Sequence, residues 1–150
     1  MVTLMIKRNK TAYTLIEVMI VVVLLGLLAA FAIPNFQGSI RKAHERDAVM
    51  QLTLINGAQK IYFAQNGFYS PTGAGTYTQL NTDLGLNIIP NGMTYTYNRI
   101  ALATYRTTAA WTGGGGNFTV RVTQAAVSQS APLNPCCTVA GACPTLGTGC

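Results

Sequence analysis

The run from Val18 to Ile33 is apolar at every position, and Glu17 stands at its front edge with Leu15 and Ile16 before it. Such a run predicts a helix that is apolar on all sides and belongs in lipid, spanning residues 13–36. Pro34 near its end lacks an amide donor and predicts a kink in any helix passing through it. Beyond Pro34 the pattern turns amphipathic over residues 37–66. Ile40, Ala43, Met50, Leu54, Ala58 and Ile61 recur at three- and four-residue steps, with a gap at Asp47. Arg41, Lys42, Glu45, Arg46, Gln51 and Lys60 fall largely on the other side, so one buried stripe is predicted. Asn66-Gly67 supplies a C-terminal stop. A helix from Thr14 to Ala64 would run for about 75 Å at 1.5 Å per residue, too long for a small domain to enclose. Its first half must be covered by something else.

The remainder reads as an exported β-rich domain. Residues 67–92 are loop-like, with a short helical turn predicted at 82–86 and a turn at Pro90-Asn91-Gly92. Over 93–125 the period becomes two: Met93, Tyr95 and Tyr97 alternate with Thr94 and Thr96, and Phe118, Val120 and Val122 alternate with Thr119, Arg121 and Thr123. The segment from Ala103 to Trp111 lies between them, and Gly113 to Asn117 makes the reversal. Three or four antiparallel strands are predicted, packed on the stripe from Ile40 to Ile61. The fold class is therefore α+β, one long helix on a small antiparallel sheet.

Composition and charge alter this picture at two points. The 150 residues suit one domain, and the net charge of +6 is carried partly by Lys7, Arg8 and Lys10. Those three precede the apolar run and act as a positive flank that holds the N-terminus in the cytoplasm, so charge gives little support to a nucleic-acid partner. All four cysteines, Cys136, Cys137, Cys143 and Cys150, lie in the tail 126–150. An exported domain oxidises them. Adjacent Cys136 and Cys137 are poorly placed to pair with each other, so each is expected to bridge to Cys143 or Cys150, in a pairing the sequence leaves open. Their spacing lacks the C-x2-C knuckle of a zinc site, and no metal is expected.

Two readings of the N-terminus compete. Ala30-Phe31-Ala32 satisfies the small-x-small rule of an ordinary secretory signal, but the apolar core is too long and helical patterning continues past the supposed cut. The stretch "YTLIEVMIVVVLLGLLAAFAIP" resembles instead the N-terminal signature of type IV pilins and the related pseudopilins. Tyr13, Thr14, Leu15, Ile16, Glu17, Gly26 and Pro34 match it in type and spacing. The resemblance covers about the first 36 residues. It implies a prepilin leader over 1–12, whether translation starts at Met1 or Met5, cut between Ala12 and Tyr13 by a membrane prepilin peptidase that also N-methylates Tyr13. Ala12 stands where the family usually has Gly, and Tyr13 where it usually has Phe.

The same resemblance answers why a lipid-facing helix carries an acid. Cleavage would create a cationic α-amino group four residues before Glu17. In a staggered stack, Glu17 of one copy meets that amino group on its neighbour, and neither charge is left alone in an apolar setting. The family assigns the assembly role to Glu17 with Thr14, and Gly26 and Pro34 are expected to let the helix melt or kink. The overall shape implied is the pilin "lollipop".

Other chemistry finds little support. His44 is expected to be solvated, with no nucleophile or metal partner nominated. The only acids are Glu17, Glu45, Asp47 and Asp83; Glu45 and Asp47 read, with Arg41, Lys42 and Arg46, as a hydrophilic shoulder. The aromatics suit packing better than a stacking platform for single strands. Arg99, Arg106 and Arg121 form a weak candidate for a basic stripe. The resemblance to pilins therefore implies a structural subunit, not an enzyme, without cofactor, held by a single pass in the inner membrane and then polymerised with other pilin subunits into an extracellular filament by a platform protein and a cytoplasmic ATPase. The alternatives are a type II secretion pseudopilin, which in many cases carries a calcium site of clustered acids that this tail lacks, and a DNA-uptake pilin.

Overall fold

The computed structural model describes residues 13–114, 116–128, 133–138, 143 and 146. The chain divides into two units, Met1–Asn35 and Phe36–Cys150. The leader, Ala12 and Cys150 lie outside the described residues.

Helix α1 runs from Leu15 to Asn66, 52 residues without a break in the helical assignment at Gly26 or Pro34. It starts where "TLIE" predicts. The Glu17 N–H donates to Oγ1 of Thr14 at 3.3 Å, and the Glu17 and Val18 N–H groups reach the Thr14 carbonyl at 3.2 and 3.3 Å. Thr14 is thus the cap for donors that have no partner within the helix. Gly67 ends the helix in the left-handed region, φ 77°, with its N–H on the Phe63 carbonyl at 2.8 Å.

In the first unit the large apolar side chains from Leu15 to Ile33 are all at least half exposed. None of the described residues covers them, as the all-round apolar pattern requires.

The second unit is an α+β layer pair. Strands β1 (Ala74–Thr76), β2 (Thr94–Ala101), β3 (Thr104–Trp111), β4 (Phe118–Thr123) and β5 (Cys136–Cys137) form one antiparallel sheet in the order β1-β2-β3-β4-β5. The three long strands are those that period two predicts. Along β4, Phe118, Val120 and Val122 are buried and the Thr and Arg between them are half-buried. A turn opens β2: Asn91 and Gly92 are both left-handed, and the Met93 N–H reaches the Pro90 carbonyl at 2.7 Å. Full burial of each large apolar side chain here contributes about 1.5–3 kcal/mol.

Two expectations fail. The segment 67–92 is more than loop, since it holds β1 and the two-turn helix α2 (Tyr77–Leu84), which Gly85 ends at φ 63°. The predicted stripe is also on the wrong side. The residues of α1 buried beneath the sheet are Glu45, Ala48, Leu52, Ile55, Asn56 and Gln59, whereas Met50, Leu54 and Ile61 are 72%, 49% and 63% exposed. Polar side chains win the inner face because the domain has backbone groups to satisfy there. Gln59 bonds both the N–H and the carbonyl of Ser70. The Asn56 amide donates to the Tyr105 hydroxyl at 2.8 Å and to the Thr123 carbonyl at 2.5 Å.

Candidate assembly site

The N-terminal segment presents Tyr13, Thr14 and Glu17 at the start of α1, all exposed. Threonine followed three residues later by glutamate is the spacing of a capping box, with the acid in the first turn, where the helix dipole favours a negative charge. That local function of "TLIE" is a second reason for these residue types, independent of any neighbour. The serine/threonine-x-x-acid pattern signals it, and the reading of Glu17 as a partner for an amino group does not contain it. Gly26 has no atom within 4 Å of where a Cβ would lie, so its face of the helix is open.

On the second unit, several residues sit elsewhere than their sequence context suggests. Glu45 is not on a hydrophilic shoulder: it is fully buried, and its Oε1 accepts the Leu146 N–H at 2.7 Å, tying the C-terminal tail to α1. Asp47 instead takes a hydrogen bond from the Asn91 amide at 3.3 Å. His44 is not simply solvated, because its ring stacks on Trp111 with centroids 3.7 Å apart. The three arginines do not form one stripe. Arg99 turns to the Tyr69 carbonyl, Nη1 to oxygen 3.1 Å, and lies over the Phe68 ring. Arg106 faces Asn98 and Thr123 in register, and Arg121 faces Thr108, which puts those two on the outer face of the sheet.

The tail is held by covalent and polar ties. Cys137 is joined to Cys143, and Cys136 is oxidised as well. Asn134 imitates a strand residue: its Oδ1 accepts the Thr123 N–H at 3.1 Å and its Nδ2 donates to the Ala125 carbonyl at 2.8 Å. Among the described residues no three His, Cys, Asp or Glu side chains gather as a metal-ligand set.

A groove of about 820 Å³ runs along the side of α1 away from the sheet. Met50, Leu54, Gly57, Ala58 and Ile61 form its floor, and Asp83, Leu84 and Leu86 form one wall. Met50, Leu54, Ala58 and Ile61 of the predicted stripe lie in this groove, and Ile40 and Ala43 do not.

Residues 7–33 match the family model for the prokaryotic N-terminal methylation motif. The chain is 41% identical over 68 residues to the type II secretion system core protein G of Vibrio cholerae, covering 45% of this chain and 47% of that protein. It is 36% identical over 75 residues to the core protein G of Aeromonas hydrophila, covering 50% and 52%. It is 43% identical over 63 residues to the type IV major pilin protein PilA of Myxococcus xanthus, covering 42% and 28%. The chain thus spans about half, or less, of the length of these relatives. No solved structure matches it.

Proposed function

We propose that this chain, which belongs through its N-terminal half to the pilin and pseudopilin family, is a structural subunit that polymerises into a type IV pilus-like filament. The observation that carries the reading is a methylation motif at the head of a long helix whose apolar first half none of the described residues covers. A helix apolar on all sides is stable in lipid before assembly and among other such helices afterwards. Leaving lipid for protein gains close packing and charge pairing more than water expulsion, which is why extraction is assigned to an energy-driven machine.

In this reading Ala12 and Tyr13 flank the cut, Tyr13 is methylated, and its amino group meets Glu17 of a neighbour. The Thr14 cap keeps the first turn helical, so the acid is held at a fixed height along the rod. Gly26 and Pro34 are the points where the backbone ladder is weakest. The subunit catalyses nothing; the prepilin peptidase, platform and ATPase are its partners.

A second reading, the type II secretion pseudopilin, is favoured by the similarity to two core proteins G over the first half of the chain. The two differ in where the fibre lies, on the cell surface or in the periplasm. A DNA-uptake role loses its predicted stripe, since Arg99 is engaged on Tyr69 and Phe68.

The test is N-terminal sequencing of sheared fibres, combined with Glu17→Gln. Fibres starting at methylated Tyr13, and their loss in a processed, normally abundant Glu17→Gln protein, are the expected results. A mature protein starting at Ile33 in the soluble fraction overturns the reading.

A further inference from the structure

Two apolar features of the second unit stand out among the described residues. One is the groove on α1. The other is the tip of the β2–β3 hairpin, where Ile100 and Leu102 are 61% and 65% exposed, with Ala101 and Ala103 also on the surface. The tip is rigidly mounted. Its Leu102 carbonyl accepts the Tyr69 N–H at 3.3 Å, the Arg99 N–H reaches the Gly73 carbonyl at 2.9 Å, and the Arg99 guanidinium holds the Tyr69 carbonyl at 3.1 Å. A β-hairpin that ends in Ile-Ala-Leu-Ala gains nothing from water.

The two features also complement each other in charge. The groove wall carries exposed Asp83, whose Oδ2 takes the Ser70 hydroxyl at 2.6 Å. Beyond Asp83 the sequence has no acid at all, and the β2–β3 hairpin carries Arg99 and Arg106. Arg106, four residues past Leu102 on β3, is exposed and makes no ion pair among the described residues. We infer that the hairpin tip of one copy seats in the α1 groove of the next, with Leu102 over Gly57 and Ala58 and Arg106 facing Asp83. The inference rests on the filament reading and names the contact between second units within it.

The physical case is closure. A knob on one copy that fits a groove elsewhere on another makes a heterologous contact, and such contacts extend into helical fibres when the rotation does not close. Each interior copy then buries both of its apolar features, and only the two ends of the fibre expose one. Gly57 has open space around it, so a neighbour's side chain approaches the helix backbone there. The Arg106–Asp83 pair lies at the rim and sets register and partner choice more than affinity.

The experiment uses the full chain in cells that assemble it. Asp83→Asn keeps an acceptor for Ser70 and removes the charge; Asp83→Arg and Arg106→Asp reverse each partner. The expected result is fewer fibres in each charge-reversed variant, restored when the two reversals are combined, at unchanged membrane levels of processed subunit. Independently, Leu54→Cys with Leu102→Cys should give a ladder of thiol-cross-linked multimers in fibres that neither single variant gives. Normal fibres in both reversed variants without a ladder overturn the contact, and show that another occupant, such as a neighbour's apolar helix or lipid, fills the groove. A wild-type chain that is processed and yet forms no fibres refutes the filament reading itself.

Discussion

His44 and Trp111, the chain's only histidine and only tryptophan, lie ring on ring, with centroids 3.7 Å apart and planes inclined by 20°. The stack joins the α1 helix to the end of β3, and the indole also closes over Gly113, where an added Cβ would meet Trp111 Cζ2 at 2.3 Å. The contact pins the helix to the sheet at the edge of the core. His44→Ala should therefore cost about 0.5–1.5 kcal/mol. The measurement is urea unfolding of the full chain in detergent, followed by Trp111 emission. His44→Phe should keep most of the stability, because it keeps the stacked face.

Gln59 is fully buried and clamps both backbone groups of Ser70. Gln59→Leu would fill the same space and leave an N–H and a carbonyl without partners. Each orphaned buried group costs about 1–3 kcal/mol, so a total loss of roughly 2–6 kcal/mol is expected. Thermal unfolding checks it. Leu54→Gln, on the exposed side of the same helix, should stay within about 0.5 kcal/mol of wild type.

The contrast between Gln59 and Leu54 shows what the sequence discloses. The ends of α1 are legible, since Thr14 caps and Gly67 stops by local chemistry alone. Strands β2 and β4 are legible too, because Tyr95 and Tyr97, or Val120 and Val122, alternate with polar residues and one sheet face is buried. The face that α1 buries is not. Glu45, Asn56 and Gln59 go inside to meet Leu146, Thr123 and Ser70, which lie 101, 67 and 11 positions away, and periodicity carries no record of those partners. Strands β1 and β5 are hidden for the same reason: three and two residues become strand only by pairing with β2 and β4. In the N-terminal segment, the motif is plain in sequence, while the capping role of Thr14 needs the helix start to be seen.

Alkaline pH should unfold the domain through its tyrosines. Burial pushes Tyr95, Tyr97 and Tyr105 well above the ordinary phenol value of 10.0, because the phenolate would lose its hydration in the core. The folded chain therefore keeps protons that the unfolded chain releases. Stability is fully present below pH 10 or so and falls as the pH rises beyond it, since the unfolded state then binds fewer protons. Ultraviolet titration alongside circular dichroism checks this. The three buried residues should ionise only together with loss of the near-ultraviolet circular dichroism. Ionisation of these three near the ordinary phenol value of 10.0, with the fold intact, would contradict this.

The bridge from Cys137 to Cys143 closes a loop of sequence separation 6 and locks the tail against β4, where Cys137 is paired with Val120. Chain entropy for so short a loop gives about 2 kcal/mol. That is small beside the burial of Val120, Val122 and Phe118, which lie on β4 and do not depend on the bridge for their strand pairing to β3. Asn134 also holds the start of the tail through Thr123 and Ala125 without any sulfur. A Cys137→Ser/Cys143→Ser chain should accordingly fold, lose about 2 kcal/mol, and become sensitive to protease beyond Thr138 while β2–β4 stay protected. Adding Asn134→Ala should extend the cleavage back toward Thr123. Limited proteolysis with mass mapping reads both outcomes, and cleavage within β2–β4 of the double serine variant would show that the bridge carries the sheet as well as the tail.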